Sequence, residues 1–199
     1  MTALAPSSSS PSAKLGAIRS RFGTTRGLVR LALSYPQAAL LPQAMRHPDP
    51  ASVRRLVFVC HGNICRSAFA DVAARAIGLE VASFGLSTYA DAPAHPPAVA
   101  AAAALGIDLA AHRTTPAEDF MPRPGDLLLA MELRQLARLA ADPTLADAPR
   151  SLLGLWASPP VPHLHDPFGL DDAYMLTCFR RIEVAVRHLK TAFPGAAAS

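Results

Sequence analysis

The chain has 199 residues, 51% hydrophobic and 17% charged, which is enough to bury one core and too apolar for a disordered protein. Its net charge of +4 is uneven: residues 1–55 hold eight basic side chains against Asp49 alone, so +7 lies there and the remainder carries −3, which argues against a nucleic-acid binder. Apolar runs such as Val99 to Ile107 are too short to span a bilayer and no early segment reads as a secretory signal, so a cytosolic setting is expected.

In chain order, the Ser, Pro and Ala run from Met1 to Ser12 has nothing to bury and should be mobile. Next, Leu15, Ile18, Phe22, Val29 and Leu33 fall on one helical stripe with Arg19, Arg26 and Arg30 to one side, although Gly23 and Gly27 weaken that helix. Pro36, Pro42, Pro48 and Pro50 should end it and form a linker. The unbroken apolar run from Arg55 to Val59 predicts a strand buried on both faces. A tight polar loop leads to a helix over Ser67 to Ile77, stopped by Gly78. Then follow a strand at Glu80 to Phe84, a helix from about Pro97 to Leu105, a strand at Leu127 to Ala130, a helix at Glu132 to Ala140, a fourth strand at Ser151 to Trp156 and a final helix at Asp172 to Phe193. Strands alternating with helices imply an α/β, doubly wound parallel sheet covered on both faces. Residues 1–53 are expected to be a basic, partly helical N-terminal extension, 54–194 the globular domain and 195–199 a short tail. Such sheets place their sites just past the carboxyl ends of the strands.

The loop after the first strand reads Cys60, His61, Gly62, Asn63, Ile64, Cys65, Arg66, Ser67. A Cys six positions ahead of an Arg is a weak signal alone. Between strand and helix, with Gly62 and Asn63 suited to left-handed backbone angles, it can turn successive N–H groups inward as an anion nest at a helix N-terminus. Cys60 under such a ring, beside a guanidinium, should be a thiolate nucleophile. Arg66 can grip two phosphoryl oxygens through its planar fork, and Ser67 can donate to the thiolate. A proton for the leaving oxygen must come from elsewhere. Asp166, in His165-Asp166-Pro167-Phe168-Gly169, is the candidate: an unpaired carboxylate approaching a bound dianion is held protonated longer. Phe168 can pack against a substrate ring.

These residues resemble the low-molecular-weight protein tyrosine phosphatases: the Cys60 to Ser67 loop after its strand, and Asp166-Pro167-Phe168 near the carboxyl end. Between them Ser83, Gly85, Gly106, Ile107, His112, Arg113 and Asp126 through Glu132 come in the same order. The resemblance covers roughly residues 54 to 193. It implies a three-layer fold around a four-stranded parallel sheet, metal-free and cofactor-free hydrolysis of phosphotyrosine in proteins through a cysteinyl-phosphate, Cys60 as nucleophile, Arg66 as phosphate clamp and Asp166 as acid and then base. His61, Gly62, Asn63, Ile64, Cys65 and Ser67 would hold phosphate. Asn63 would brace the loop through Ser67, Ser83 and His112, and Cys65 would form a reversible disulfide with Cys60. The chain departs from the family at His61, Ala68 and Gly169, with Tyr89 offered as a cleft wall beside Phe168; this puts substrate preference in question rather than catalysis.

Other readings weigh less. His163, His165 and Asp166 look like ligands, but no further set with a recognisable spacing accompanies them, so no metal is expected. Arsenate reduction on the same scaffold needs more cysteines than Cys60, Cys65 and a core-facing Cys178, and a phosphate-reading module without turnover would not need both Cys60 and Asp166. Trp156 and Tyr174 are expected in the core. The basic extension is expected to pack on the body or be solvated; a weak contact with an anionic membrane or a partner, or a transit-peptide role, stays open.

Overall fold

The computed structural model describes residues 11–198, with side chains from Gly16 onward. Expectations for residues 1–10 and for the Leu15 side chain lie outside these, while Pro11 and Ser12 open a helix rather than a mobile run. In chain order the elements are α1 (Pro11–Phe22), α2 (Thr25–Ala39), α3 (Gln43–Arg46), β1 (Arg55–Cys60), α4 (Arg66–Ala76), β2 (Val81–Gly85), α5 (Pro96–Ala103), β3 (Asp126–Ala130), α6 (Leu133–Ala141), β4 (Arg150–Leu152) and α7 (Asp172–Ala192). The four strands form one sheet in the order β2-β1-β3-β4, every neighbouring pair parallel. The chain steps outward from β1 to β2 and then crosses back to β3, so the direction of winding reverses at β1. This reversal opens a crevice at the carboxyl end of β1, where Cys60 lies.

Strand alternation divides the core. Leu56, Phe58, Leu127 and Leu129 pack on one side with Phe69 of α4 and Phe179 and Ile182 of α7, and the Phe69 and Phe179 rings stack at 4.2 Å. Val57, Val59, Leu128 and Ala130 pack on the other with Phe84, Phe120 and Leu136 and Leu139 of α6. Both faces are apolar because both are covered, which is why β1 and β3 read as unbroken hydrophobic runs.

Three expectations are corrected. The apolar stripe of the leading segment is not one helix: Gly23 takes φ +76° and divides it, so the helical phase is lost. In α2 the buried face is Gly27, Leu31, Ser34 and Ala38, while Val29 and Leu33 stand 56% and 57% exposed. Pro36 lies inside α2 rather than ending it; it sits on the solvent face, where the carbonyl of Ala32 that loses its donor is open to water. The fourth strand stops at Leu152, and Leu153–Trp156 form a 3-10 turn, because β3 pairs only as far as Ala130 with Leu152.

The extension covers the edge of the sheet. Leu31 joins the first core cluster and Ala38 the second, the Ser151 hydroxyl of β4 donates to the Met45 carbonyl, and the Tyr35 hydroxyl donates to the Pro160 carbonyl at 2.9 Å. At the other end the short tail is held to the body: Ala196 is buried and the Ala198 N–H donates to the Gly78 carbonyl at 2.9 Å.

Candidate active site

The loop between β1 and α4 is held from behind. The carbonyl of Cys60 accepts the Leu86 N–H (3.0 Å), that of His61 the Ser87 N–H (2.9 Å), that of Ile64 the His95 N–H (3.0 Å) and that of Cys65 the Phe69 N–H (2.9 Å). The Asn63 carbonyl accepts from His112 Nε2 at 2.8 Å. In a planar trans peptide the following N–H points opposite to the carbonyl. Outward carbonyls therefore aim the N–H groups of His61, Gly62, Ile64, Cys65 and Arg66 into the bowl of the loop, beside the N-terminus of α4.

Asn63 sets the shape. It is fully buried with φ +52°, and its side chain joins three segments. Nδ2 donates to Ser67 Oγ at 2.8 Å and to Ser83 Oγ at 3.1 Å, while Oδ1 accepts the Thr115 N–H at 3.0 Å. The Ser83 hydroxyl in turn donates to Asp71 Oδ2 at 2.7 Å, and Asp71 is paired through Oδ1 with Arg75 at 2.6 Å. Burial lowers the pKa of His112, the hydrogen bond to Asn63 working against it; the ring is thus neutral at neutral pH and Nε2 carries its one proton. At Gly85, beside Cys60 in the sheet, a Cβ would come 2.8 Å from Thr88 Cγ2 and 3.1 Å from Asn63 Cβ, so glycine lets β2 pass this close to the loop.

Cys60 is buried at the end of β1. Its Sγ lies 3.0 Å from Ser67 Oγ and 3.2 Å from the Asn63 N–H. Arg66 is 1% exposed. Its Nη1 donates to Glu132 Oε1 and to the Leu164 carbonyl, both at 2.8 Å; Nη2 pairs with Asp166 Oδ2 at 2.8 Å, and Nε has no partner among the described residues. Burial opposes the guanidinium charge, but Asp166, Cys60 and Glu132 override it and raise its pKa. Burial likewise acts to raise the Glu132 carboxyl, and Arg66 holds it below the ordinary range. The expectation of an unpaired Asp166 is corrected: it is two-thirds buried at its side chain and ion-paired with Arg66, because the crevice brings the two loops face to face.

Cys60, His61, Gly62, Ile64, Cys65 and Arg66 line a cleft of about 290 Å³ together with Thr88, Tyr89, Asp166 and Phe168. Tyr89 is 88% exposed, and Phe168 leans on the His95 ring at 4.8 Å. These are open apolar walls above a polar floor. Cys65 is buried, and burial first, then the nearby Cys60, pushes its thiol far above the ordinary range, so it is protonated at neutral pH. Cys178 is buried in α7, its thiol pushed up to about 12 by burial, and Tyr174 is buried beside it.

Reasoning from sequence passed over Asp71, His95, Thr115 and the Leu164 carbonyl, and took Glu132 only as part of a resemblance. Two of these had a local signal. Asp71 follows Ser67 by one helical turn and so shares its face, and Glu132 lies just beyond the carboxyl end of β3, the edge where sites form.

Residues 55–195 match the family model described as low molecular weight phosphotyrosine protein phosphatase. A probable low molecular weight protein-tyrosine-phosphatase, EpsP of Ralstonia solanacearum, is 36% identical over 81 residues, which span 40% of this chain and 56% of that protein. The low molecular weight protein-tyrosine-phosphatase Etp of Escherichia coli K12 is 33% identical over 103 residues, 51% of this chain and 70% of that one. The crystal structure of the Erwinia amylovora tyrosine phosphatase amsI superposes with a TM-score of 0.61 at 23% identity, over 71% of this chain and 93% of that one. That likeness is one of fold. Residues 1–54 lie outside the family match.

Proposed function

The chain belongs to the low molecular weight phosphotyrosine protein phosphatase family, and we propose that it hydrolyses phosphotyrosine in proteins through a cysteinyl-phosphate intermediate. The observation that carries this reading is the convergence on one cleft of Cys60 Sγ, the unpartnered Nε of Arg66 and the Asp166 carboxyl. Nη1 of Arg66 is immobilised by Glu132 and Leu164, so the Nε and Nη2 edge of the fork is left to grip two phosphoryl oxygens. The entering dianion competes with Asp166 for Nη2. Freed beside a dianion, the carboxyl takes up a proton.

Sγ then attacks phosphorus in line with the aryl oxygen, the S–P bond forms as the P–O bond breaks, and Asp166 gives its proton to the leaving oxygen. The inward N–H groups and Arg66 carry the charge on the equatorial oxygens. Asp166, now a carboxylate, takes a proton from water attacking the thiophosphate. Phosphate leaves, and Ser67 Oγ donates to the departing thiolate. Tyr89 and Phe168 form a slot for an aromatic ring, which favours phosphotyrosine over phosphoserine. A resolving thiol for arsenate chemistry is disfavoured by the burial of Cys178 within α7. A reduced Cys60 fits a cytosolic setting.

The test is hydrolysis of aryl phosphates without added metal. Cys60→Ser should abolish it, and Asp166→Ala should lower it by roughly 10² to 10⁴, less for better leaving groups. Trapping by Asp166→Ala should select phosphotyrosine peptides from a panel that includes phosphoserine and phosphothreonine. Turnover indifferent to Cys60→Ser would overturn the reading. For the basic extension we infer a weak contact with anionic surfaces through the open face of α2, where Arg26 and Arg30 flank Val29; co-sedimentation with phosphatidylserine vesicles that Arg26→Glu with Arg30→Glu does not reduce would exclude it.

A further inference from the structure

The corner between α1 and α2 lies outside the family match yet packs against the loop that carries Asp166, on both sides of that residue. At Gly23 a Cβ would stand 2.8 Å from Leu170 Cδ1, 2.9 Å from Tyr174 Cε1 and 3.0 Å from His165 Cδ2; at Gly27 it would stand 2.8 Å from the same His165 atom. The two glycines bring the corner onto the His165 ring. Between them, Thr24 Oγ1 accepts the Gly27 N–H at 2.8 Å and lies 3.2 Å from His165 Nε2. A hydroxyl that accepts one N–H keeps its own proton and a second lone pair, so it can pair with the ring nitrogen in either tautomer. Burial lowers the His165 pKa, which favours the neutral ring. The His165 carbonyl takes the Tyr174 hydroxyl at 3.1 Å. Arg181 of α7 completes the attachment, donating to the Arg21 carbonyl at 2.9 Å with its guanidinium 5.9 Å from the Phe22 ring.

We propose that this corner is a positioning element for the general acid, Thr24 acting through His165 to set where the Asp166 carboxyl points. The inference rests on the phosphatase reading above. In the free protein Asp166 is held by Arg66 and by a long hydrogen bond from its own loop, the Phe168 N–H at 3.3 Å. Once substrate phosphate takes the guanidinium edge, the first hold is gone, and the placement of the carboxyl depends on the anchoring of its neighbours. His165 is the adjoining residue, and its side chain is fixed by the extension. A general acid acts only within hydrogen-bond reach of the leaving oxygen, and small displacements cost rate steeply. Thr24 and His165 are therefore positioning residues, touching neither substrate nor reacting atoms.

The experiment compares kcat/KM of the full chain on phenyl phosphate, whose leaving group needs a proton, with 2,4-dinitrophenyl phosphate, whose leaving group does not. Asp166→Asn is the reference for loss of the acid. Thr24→Val and His165→Phe should each lower kcat/KM on phenyl phosphate about fivefold, the worth of about one hydrogen bond, while activity on the dinitrophenyl ester stays within about twofold. Since both act through one contact, the double variant should be no worse than the poorer single variant, and Thr24→Ser should recover the wild-type ratio. Thr24→Val also removes a helix cap and lowers Tm, but that loss falls on both substrates alike. Equal falls on the two esters, multiplicative losses in the double variant, or no change would each overturn the inference. A wild type inactive on both esters, or indifferent to Asp166→Asn, would overturn the phosphatase reading and this inference together. A wild type that depends on Asp166 but not on Thr24 would overturn the inference alone.

Discussion

Asn63 shows how much of a site one side chain can organise. Its amide satisfies Ser67, Ser83 and Thr115 from a left-handed backbone, so the strain of that conformation is offset by hydrogen bonds no aliphatic residue supplies. Asn63→Ala should cost about 2 kcal/mol of stability and lower kcat/KM at least roughly tenfold, because the bowl of N–H groups loses its brace. Asn63→Gly, which tolerates the backbone angle, should recover part of the stability and little of the activity; thermal melts and aryl phosphate kinetics on both variants separate strain from bonding. His163 predicts a pH response. Burial lowers its pKa from 6.5 to about 4, against the pull of Glu132, whose Oε2 lies 3.8 Å from Nδ1. The unfolded chain takes up a proton near pH 6.5 and the native ring does not until about 4. This group's contribution is therefore complete above pH 6.5 and is lost as pH falls toward 4, about 3 kcal/mol in all. Urea midpoints between pH 7 and 4 should fall less steeply in His163→Gln.

Between β2 and the loop that follows β1, the spacing of elements is set by what is missing from Gly85. A methyl there meets Thr88 and Asn63 at once, and Asn63 cannot retreat without releasing Ser67 and Thr115. Gly85→Ala should therefore reduce kcat/KM by more than about tenfold while moving Tm only a few degrees, the overpacking costing about 1–3 kcal/mol; a variant with normal kinetics would show that β2 does not bear on the loop. The same scale explains which elements were legible beforehand. β1, β3, α4 and α7 carry long runs or clear stops and were readable to within a residue or two. The end of β4 was not, because it depends on where its partner β3 stops. Nor was the course of α2 through Pro36, which depends on which side of the helix faces water.

Taken as one body, the protein has its extension built into the core. Leu31 is buried in the cluster that contains Phe58 and Phe179, and Ala38 in the cluster on the opposite side of the sheet, so α2 crosses the sheet edge and bridges both layers. Leu31→Ala should lower stability by about 2–3 kcal/mol, and fluorescence and circular dichroism should still melt in one transition; a separate early transition would show the extension to be a loosely attached appendage. None of the described helices is long and apolar enough to cross a membrane. By itself the sequence determined the doubly wound alternation of strands and helices and the make-up of the loop at the sheet's rim, because alternating apolar runs and a Cys-to-Arg turn are local patterns with local causes. Only the tertiary structure decided that Val29 and Leu33 face outward, that Asp166 meets Arg66, that Glu132 immobilises one arm of the guanidinium and that Thr24 reaches His165. Those contacts join residues far apart in the chain, and the close approach of small residues, rather than the summed hydrophobicity of a face, selects which surfaces meet.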